Sequence, residues 1–240
     1  MKKSVLLIAV ALVGSMSTFA QVKFGVKAGL NLSGATAKAD DKKVEGLKSA
    51  TGFHIGGIAD ISLAENFSLQ PGLIYSQKGF KFEEPFDGPG SQTVTMTSKM
   101  SYIEVPVNFL YRANLGSGKI FGGVGPYFAY GIGGKVKFAG LGPIGDLPGM
   151  DDYFSNRKIK FDGKKLSETA TAEEEKEYFK NDHYKGFDAG ANVMIGYELK
   201  FGLFFTANYS LGLTNGAVED KASYKNKSFG ISVGYMFGGK

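Results

Sequence analysis

Phe229-Gly230-Ile231-Ser232-Val233-Gly234-Tyr235-Met236-Phe237 is the stretch that decides the fold. Phe229, Ile231, Val233, Tyr235 and Phe237 are apolar, and Gly230, Ser232, Gly234 and Met236 lie between them. Apolar residues at every second position mark a strand whose two faces meet different surroundings. The segment before it reads the same way, with Phe205, Ala207, Tyr209 and Leu211 set against Phe204, Thr206, Asn208, Ser210 and Gly212. Segments of this kind recur at residues 22–32, 51–63, 67–82, 98–113, 119–133, 186–199, 203–213 and 227–237.

The connections alternate in length. Ala64–Asn66, Asn114–Gly118 and Lys200–Gly202 are tight, whereas residues 33–50, 83–97, 134–185 and 214–226 are longer. An even number of strands, with short turns on one rim and long loops on the other, is the pattern of an outer-membrane barrel. The expected fold is all-β: an eight-stranded antiparallel up-and-down transmembrane β-barrel with short periplasmic turns and long extracellular loops. Residues 21–240 form the barrel domain in this reading, and 134–185 is its long extracellular loop.

Alternation alone does not say which face is inside, and a soluble lipocalin-like barrel would turn its apolar face inward. The apolar face carries Phe24, Val26 and Leu30, then Phe53, Ile55 and Ile61, and so on around the chain, with no charged residue. The other face holds Lys23, Lys27, Asp60, Glu104, Arg112, Asp188 and Glu198, together with eleven glycines. Eight strands enclose only enough room for their own side chains. A face thinned by glycine fits there; a face of Phe and Tyr does not. A Lys or Arg facing lipid costs up to ~2–4 kcal/mol near the midplane, so in a membrane the charged face points inward. Aromatics near both ends of the segments match the two girdles such barrels carry. Pro71, Pro106 and Pro126 lack a ladder donor, which predicts bulges or loosened pairing where they stand.

Composition agrees. The 240 residues include 35 Gly and no Cys, which excludes disulfides, thiol nucleophiles and lipoprotein anchors. A mean hydropathy of −0.09 averages a lipid face, a polar face and hydrophilic loops. Lys2 and Lys3 precede the apolar run Val5–Val13, and Thr18-Phe19-Ala20 places small residues before Gln21. That is a secretory signal peptide over residues 1–20, cut between Ala20 and Gln21. Removing two lysines leaves 26 basic residues against 23 acidic, a net charge of +3. So small an excess on an exported chain points away from nucleic acid as a partner.

Three stretches resemble one family. Phe24-Gly25-Val26-Lys27-Ala28-Gly29-Leu30-Asn31-Leu32-Ser33 resembles the opening strand of the PorT-like outer-membrane barrels of Bacteroidetes. So do Leu69-Gln70-Pro71-Gly72-Leu73-Ile74-Tyr75-Ser76-Gln77-Lys78-Gly79 and Tyr102-Ile103-Glu104-Val105-Pro106-Val107, the latter running on to Tyr111-Arg112. Gly72 departs from the acidic residue common in the family. The resemblance implies a barrel of the porin family in the outer membrane of a Gram-negative bacterium, with a founding member tied to secretion. Tyr235-Met236-Phe237 resembles the signal read by the barrel-assembly machinery during insertion, although Gly238-Gly239-Lys240 follows it and Ser232 replaces the usual Gly.

The candidate site is the set of lumen charges Lys23, Lys27, Asp60, Glu104, Arg112, Asp188 and Glu198. Buried charges must be paired, so a structural network filling the lumen is expected ahead of an ion path. The chain reads as a structural or interaction barrel whose outer loops meet a protein or surface-polymer partner. The alternative is a porin-like barrel for small solutes; a rim-active lipid-modifying enzyme and a soluble ligand-binding barrel are weaker readings. His54, and His183 beside Asp182, are expected near the outer rim, yet no serine stands in a nucleophile motif, so no catalytic residue, cofactor or metal is assigned. Thr171-x-x-Glu174 is a capping box for a short helix in the long loop. Residues 138–150 are expected to fold over the barrel mouth.

Overall fold

A computed structural model of the chain describes residues 22–40, 42–86, 92–141, 157–167 and 169–238. The expected signal peptide, its Ala20–Gln21 junction and residues 142–150 of the expected mouth cover lie outside the described residues. No described helix is long and apolar enough to cross a membrane. The strands do the crossing.

The elements are β1 (Val22–Ala39), β2 (Lys42–Lys43), β3 (Leu47–Ser62), β4 (Phe67–Phe86), β5 (Gln92–Leu115), β6 (Gly118–Ala139), β7 (Lys158–Lys160), α1 (Ala172–Tyr178), β8 (Asn181–His183), β9 (Phe187–Leu199), β10 (Leu203–Gly212) and β11 (Ala222–Met236). Eight of them close a ring in the order β1, β3, β4, β5, β6, β9, β10, β11, and β11 pairs back onto β1 from Gly25↔Met236 to Ala39↔Ala222. Every contact in the ring is antiparallel. The β5–β6 hairpin turns in two residues with Gly116 at φ 60, a left-handed conformation that favours glycine, as hairpins this tight demand.

The faces fall as the alternation predicts. Phe24, Leu73, Val124, Tyr130 and Phe205 point outward and are half or more exposed, while Asn31, His54, Gln70, Asn108 and Asn192 are buried inside. On β5 the outward apolar run from Ile103 to Tyr111 matches the ~9–11 tilted residues that span a bilayer. The aromatic girdles form: Phe67 lies 5.1 Å from Tyr111 at the short-turn rim, and Phe53 lies 5.5 Å from Tyr75 at the other. The prolines loosen pairing without shifting register. The ladder skips from Pro71↔Val107 to Ile74↔Glu104, and from Pro106↔Tyr127 to Phe109↔Val124.

Several strands run further than the sequence pattern indicated. β4, β5 and β6 are 20, 24 and 22 residues long, so the expected loops 83–97 and 134–185 shrink as their flanks join the sheet. Above Ser101 the polarity of the wall reverses. Phe80, Met100 and Val136 are buried inside, while Lys81, Lys99, Lys135 and Lys137 point out. On β6 a register shift achieves this: Tyr102 faces Gly131 but Ser101 faces Gly133, so Ile132 is an inserted residue. Without that bulge the alternation would carry Lys135 and Lys137 inward and Val136 outward. The β3–β4 pair shifts register at a similar level, between Ser49 and His54.

Candidate functional site

The lumen is stacked in layers. Nearest the short turns, Arg112 pairs with Asp60 and donates to Ser68, and its Nε lies 3.8 Å from Glu198. Asp60 also accepts from Gln70 at 3.2 Å and Ser68 at 3.3 Å. Lys23 lines the same cavity of about 80 Å³, which it shares with Lys119 at the rim.

Above this lies an apolar layer of Ile58, Ile74, Leu110, Phe121, Met194, Phe204 and Met236. Inward glycines make room for it. Gly196 stands opposite Phe121, Gly234 opposite Phe204, Gly123 opposite Leu110 and Gly25 opposite Met236. A Cβ at any of the four would collide with the larger side chain across the ladder. The glycine-rich inner face is therefore a set of sockets.

The central layer is polar. Lys78 is 3 % exposed, with its Nζ 2.6 Å from Glu104 and 3.9 Å from Asp188. The approach to Glu104 is off-axis for a hydrogen bond, so the pair is held by charge. The ammonium also lies 4.3 Å from the centroid of the Tyr127 ring, within cation–π range. Lys27 lines the small cavity beside them, about 20 Å³, room for roughly one water. Asp188 accepts from Asn226 at 2.9 Å and Thr214 at 2.9 Å. Over this sits an outer apolar layer of Phe80, Met100, Tyr102, Tyr127, Val136, Ile159 and Tyr224.

The seven charges predicted from sequence thus fall into two groups. Lys23, Asp60, Arg112 and Glu198 sit by the short turns; Lys27, Glu104 and Asp188 sit in the middle. Ile58, Leu110 and Met194 intervene on β3, β5 and β9, so a single continuous network is replaced by two charged layers with a dry one between them. Sequence reasoning missed Lys78. Its signal was parity: it follows Ser68, Gln70 and Ser76 on the inward face of β4.

One of the two histidines is corrected too. His54 lies inside the barrel rather than at the rim, 4 % exposed, with Nε2 2.7 Å from Ser232 and Nδ1 2.9 Å from Asn31. The order Ser–His–Asn has the connectivity of a catalytic triad. Ser232 and Asn31 are as buried as His54, so a substrate has no approach to the hydroxyl. His183 lies in the extracellular segment, and its partner is Asp162 at 2.8 Å; the adjacent Asp182 instead takes Arg157 at 2.6 Å. Burial raises the Asp162 carboxyl, but hydrogen bonds from His183 and the Lys164 backbone outweigh it and hold it below the ordinary aspartate value. His183 also stacks on Tyr178 at 4.4 Å, tying α1 to β8. The capping box at α1 is present, with Thr171 accepting from the Glu174 backbone and Glu174 accepting from that of Thr171. Of the expected mouth cover, Phe138 and Ala139 instead continue β6; the contacts over the mouth come from a later segment, where Phe161 sits over Gly131 with its ring 5.2 Å from Tyr102, and Ile159 is buried.

The family described as outer membrane protein beta-barrel domain matches residues 19–218. None of the curated proteins matches the chain. Among solved structures it is similar to OprG from Pseudomonas aeruginosa, at 10 % identity over 91 % of this chain and 97 % of that one, with a TM-score of 0.41. It is also similar to Neisserial surface protein A, at 13 % identity over 90 % and 99 % with a TM-score of 0.41. Ail of Yersinia pestis, solved with the heparin analogue sucrose octasulfate, is 14 % identical over 90 % and 99 %, with a TM-score of 0.38.

Proposed function

Because the chain belongs to the outer membrane protein beta-barrel domain family and resides in the outer membrane, we propose that it is a closed barrel acting through its extracellular strands and loops. The observation that carries this reading is the lumen: two apolar layers bracket a charged one with room for about one water. An ion crossing those layers would shed its hydration against Phe121, Phe204 and Met236. The buried Ser232–His54–Asn31 chain fills space between strands, and no catalytic role is assigned to it.

The finer reading is that the outer segment meets a protein or surface polymer. Phe161 and Ile159 anchor that segment in the mouth, and the Arg157–Asp182 and Asp162–His183 pairs hold its shape. The resemblance of three stretches to PorT-like barrels of Bacteroidetes, a Gram-negative group, supports a partner connected with secretion. Residues 1–20 are removed as a signal peptide, and the intact mass of the protein from outer membranes will begin at Gln21. Pull-down from outer membranes, comparing the full chain with one lacking residues 140–182, tests the interaction role. A co-purifying component lost with the deletion supports it; identical partners for both proteins reject it. A small-solute path is the competing reading. Glu104→Ala should lower thermal stability and open no conductance, and a large new conductance would favour the path.

A further inference from the structure

The outer wall above the aromatic girdle carries a cluster of lysines. On β5 and β6, Lys99 stands directly opposite Lys135, and Lys137 lies one row higher, opposite Thr97, with Lys81 on the other side of that threonine. None of these four makes an ion pair among the described residues. Like charges placed directly across a ladder destabilise it, and the β6 bulge at Ile132 is what turns Lys135 and Lys137 out to meet Lys99. Bulges that re-aim side chains are features of sites. Gln77, Lys99, Ser101, Gly134, Lys135 and Lys137 line a notch of about 390 Å³ on this outward face.

The height of the notch identifies its occupant. Tyr75, Ile103, Tyr130 and Phe187 share one row at the top of the apolar band. The Tyr75 hydroxyl hydrogen-bonds Ser101 at 2.8 Å, at the change from apolar to polar wall. Lys99 stands four residues above Ile103, about 10 Å along the axis of a barrel whose strands tilt by about 40°. Headgroups fill roughly the first 5–8 Å above the hydrocarbon, and a lysine stem bends down far enough to close the remainder. We propose that this notch is a binding site for the phosphate-bearing headgroup of an outer-leaflet glycolipid, held by Lys99, Lys135 and Lys137 with Gln77 and Ser101 as hydrogen-bonding partners. The anion removes the Lys99–Lys135 repulsion that the fold alone leaves in place.

Diphosphorylated lipid A and its dephosphorylated form are the probes, titrated into the folded full chain in zwitterionic detergent micelles. Expected is at least tenfold tighter binding of the phosphorylated lipid, and loss of that preference in Lys99→Gln/Lys135→Gln/Lys137→Gln. Equal loss in Lys225→Gln/Lys227→Gln, which removes two outward lysines from the opposite wall, would place binding in the diffuse field of the protein and overturn the proposal. So would full competition by inorganic phosphate at equal concentration, which would make the site one for a free anion. Heat-modified gel mobility confirms folding of each variant. A second readout does not depend on affinity. Without lipid A the triple variant should melt at a higher temperature than the native chain, and with it at a lower one; a shift of the same sign in both conditions refutes the site.

Discussion

Below Ser101 the wall is apolar outside and polar within; above it, the same strands are polar outside and apolar within. Leu73 and Ile103 meet lipid, while Phe80 and Met100, a few residues along the same two strands, are buried in the lumen. One sheet therefore obeys two solvents. The difference teaches that polarity in a barrel follows the medium outside, and that strand identity is carried by the ladder. On β4 and β5 the reversal is written by residue choice at constant parity; on β6 it is made by an inserted residue.

Exchanging Lys135 with Val136 breaks the comparison most severely. The exchange turns an ammonium inward, into the outer apolar layer that holds Met100 and Tyr224, and a valine outward. Burying an unpaired ammonium there costs about 5 kcal/mol, so the outer extension should lose protease protection; native-like protection in the exchanged variant would show that the outer wall does not depend on which residue faces in. Next is Lys78→Met, which takes from Glu104 and Asp188 the ammonium that lies between them and leaves Lys27 as the basic residue beside them. Urea unfolding from detergent should register a loss of ~3–5 kcal/mol, whereas a neutral result would mean that Lys78 is not the keystone of the central layer.

Gly196→Ala sharpens the account of the lower layer. Its Cβ would collide with the Phe121 ring, and overpacking of this kind costs ~1–3 kcal/mol. The same urea experiment measures it, and an unchanged midpoint would deny that glycines act as sockets. The smallest effect lies outside the membrane. The Asp162 carboxyl is held below the ordinary aspartate value in the folded protein, so its contact with His183 contributes fully at neutral pH and is lost as pH falls through the lowered folded value. Amide exchange over residues 158–185 should quicken at that acid limb and not do so in Asp162→Asn; equal quickening in both would assign the acid limb to another group.

How much was legible follows from the same contrast. The membrane band announced itself because Phe229 to Phe237 alternate against glycine and serine, and the outward faces of all eight ring strands could be named residue by residue. The outer extension did not, because Glu83, Thr97, Lys135 and Lys137 on its outward face look like loop residues when the apolar face is assumed to be the outer one. An inserted residue such as Ile132 leaves no mark in composition, since it shows only when two strands are paired. The lumen charges were recognisable by parity, but their division into layers depends on height along the barrel. Height is set by register, which separates Asp60 from His54 by Ile58 and Arg112 from Glu104 by Leu110.

The claim that two apolar layers each close the lumen is tested most directly by electrical recording in planar bilayers. Both the full chain and the chain lacking residues 140–182 should be folded into the membrane at matched amounts. The account predicts no discrete conductance steps from either, because Phe121, Phe204, Leu110 and Met236 still seal the barrel when the mouth cover is gone. Reproducible steps from the full chain would contradict it outright, and steps from the shortened chain alone would make the removed segment the only seal.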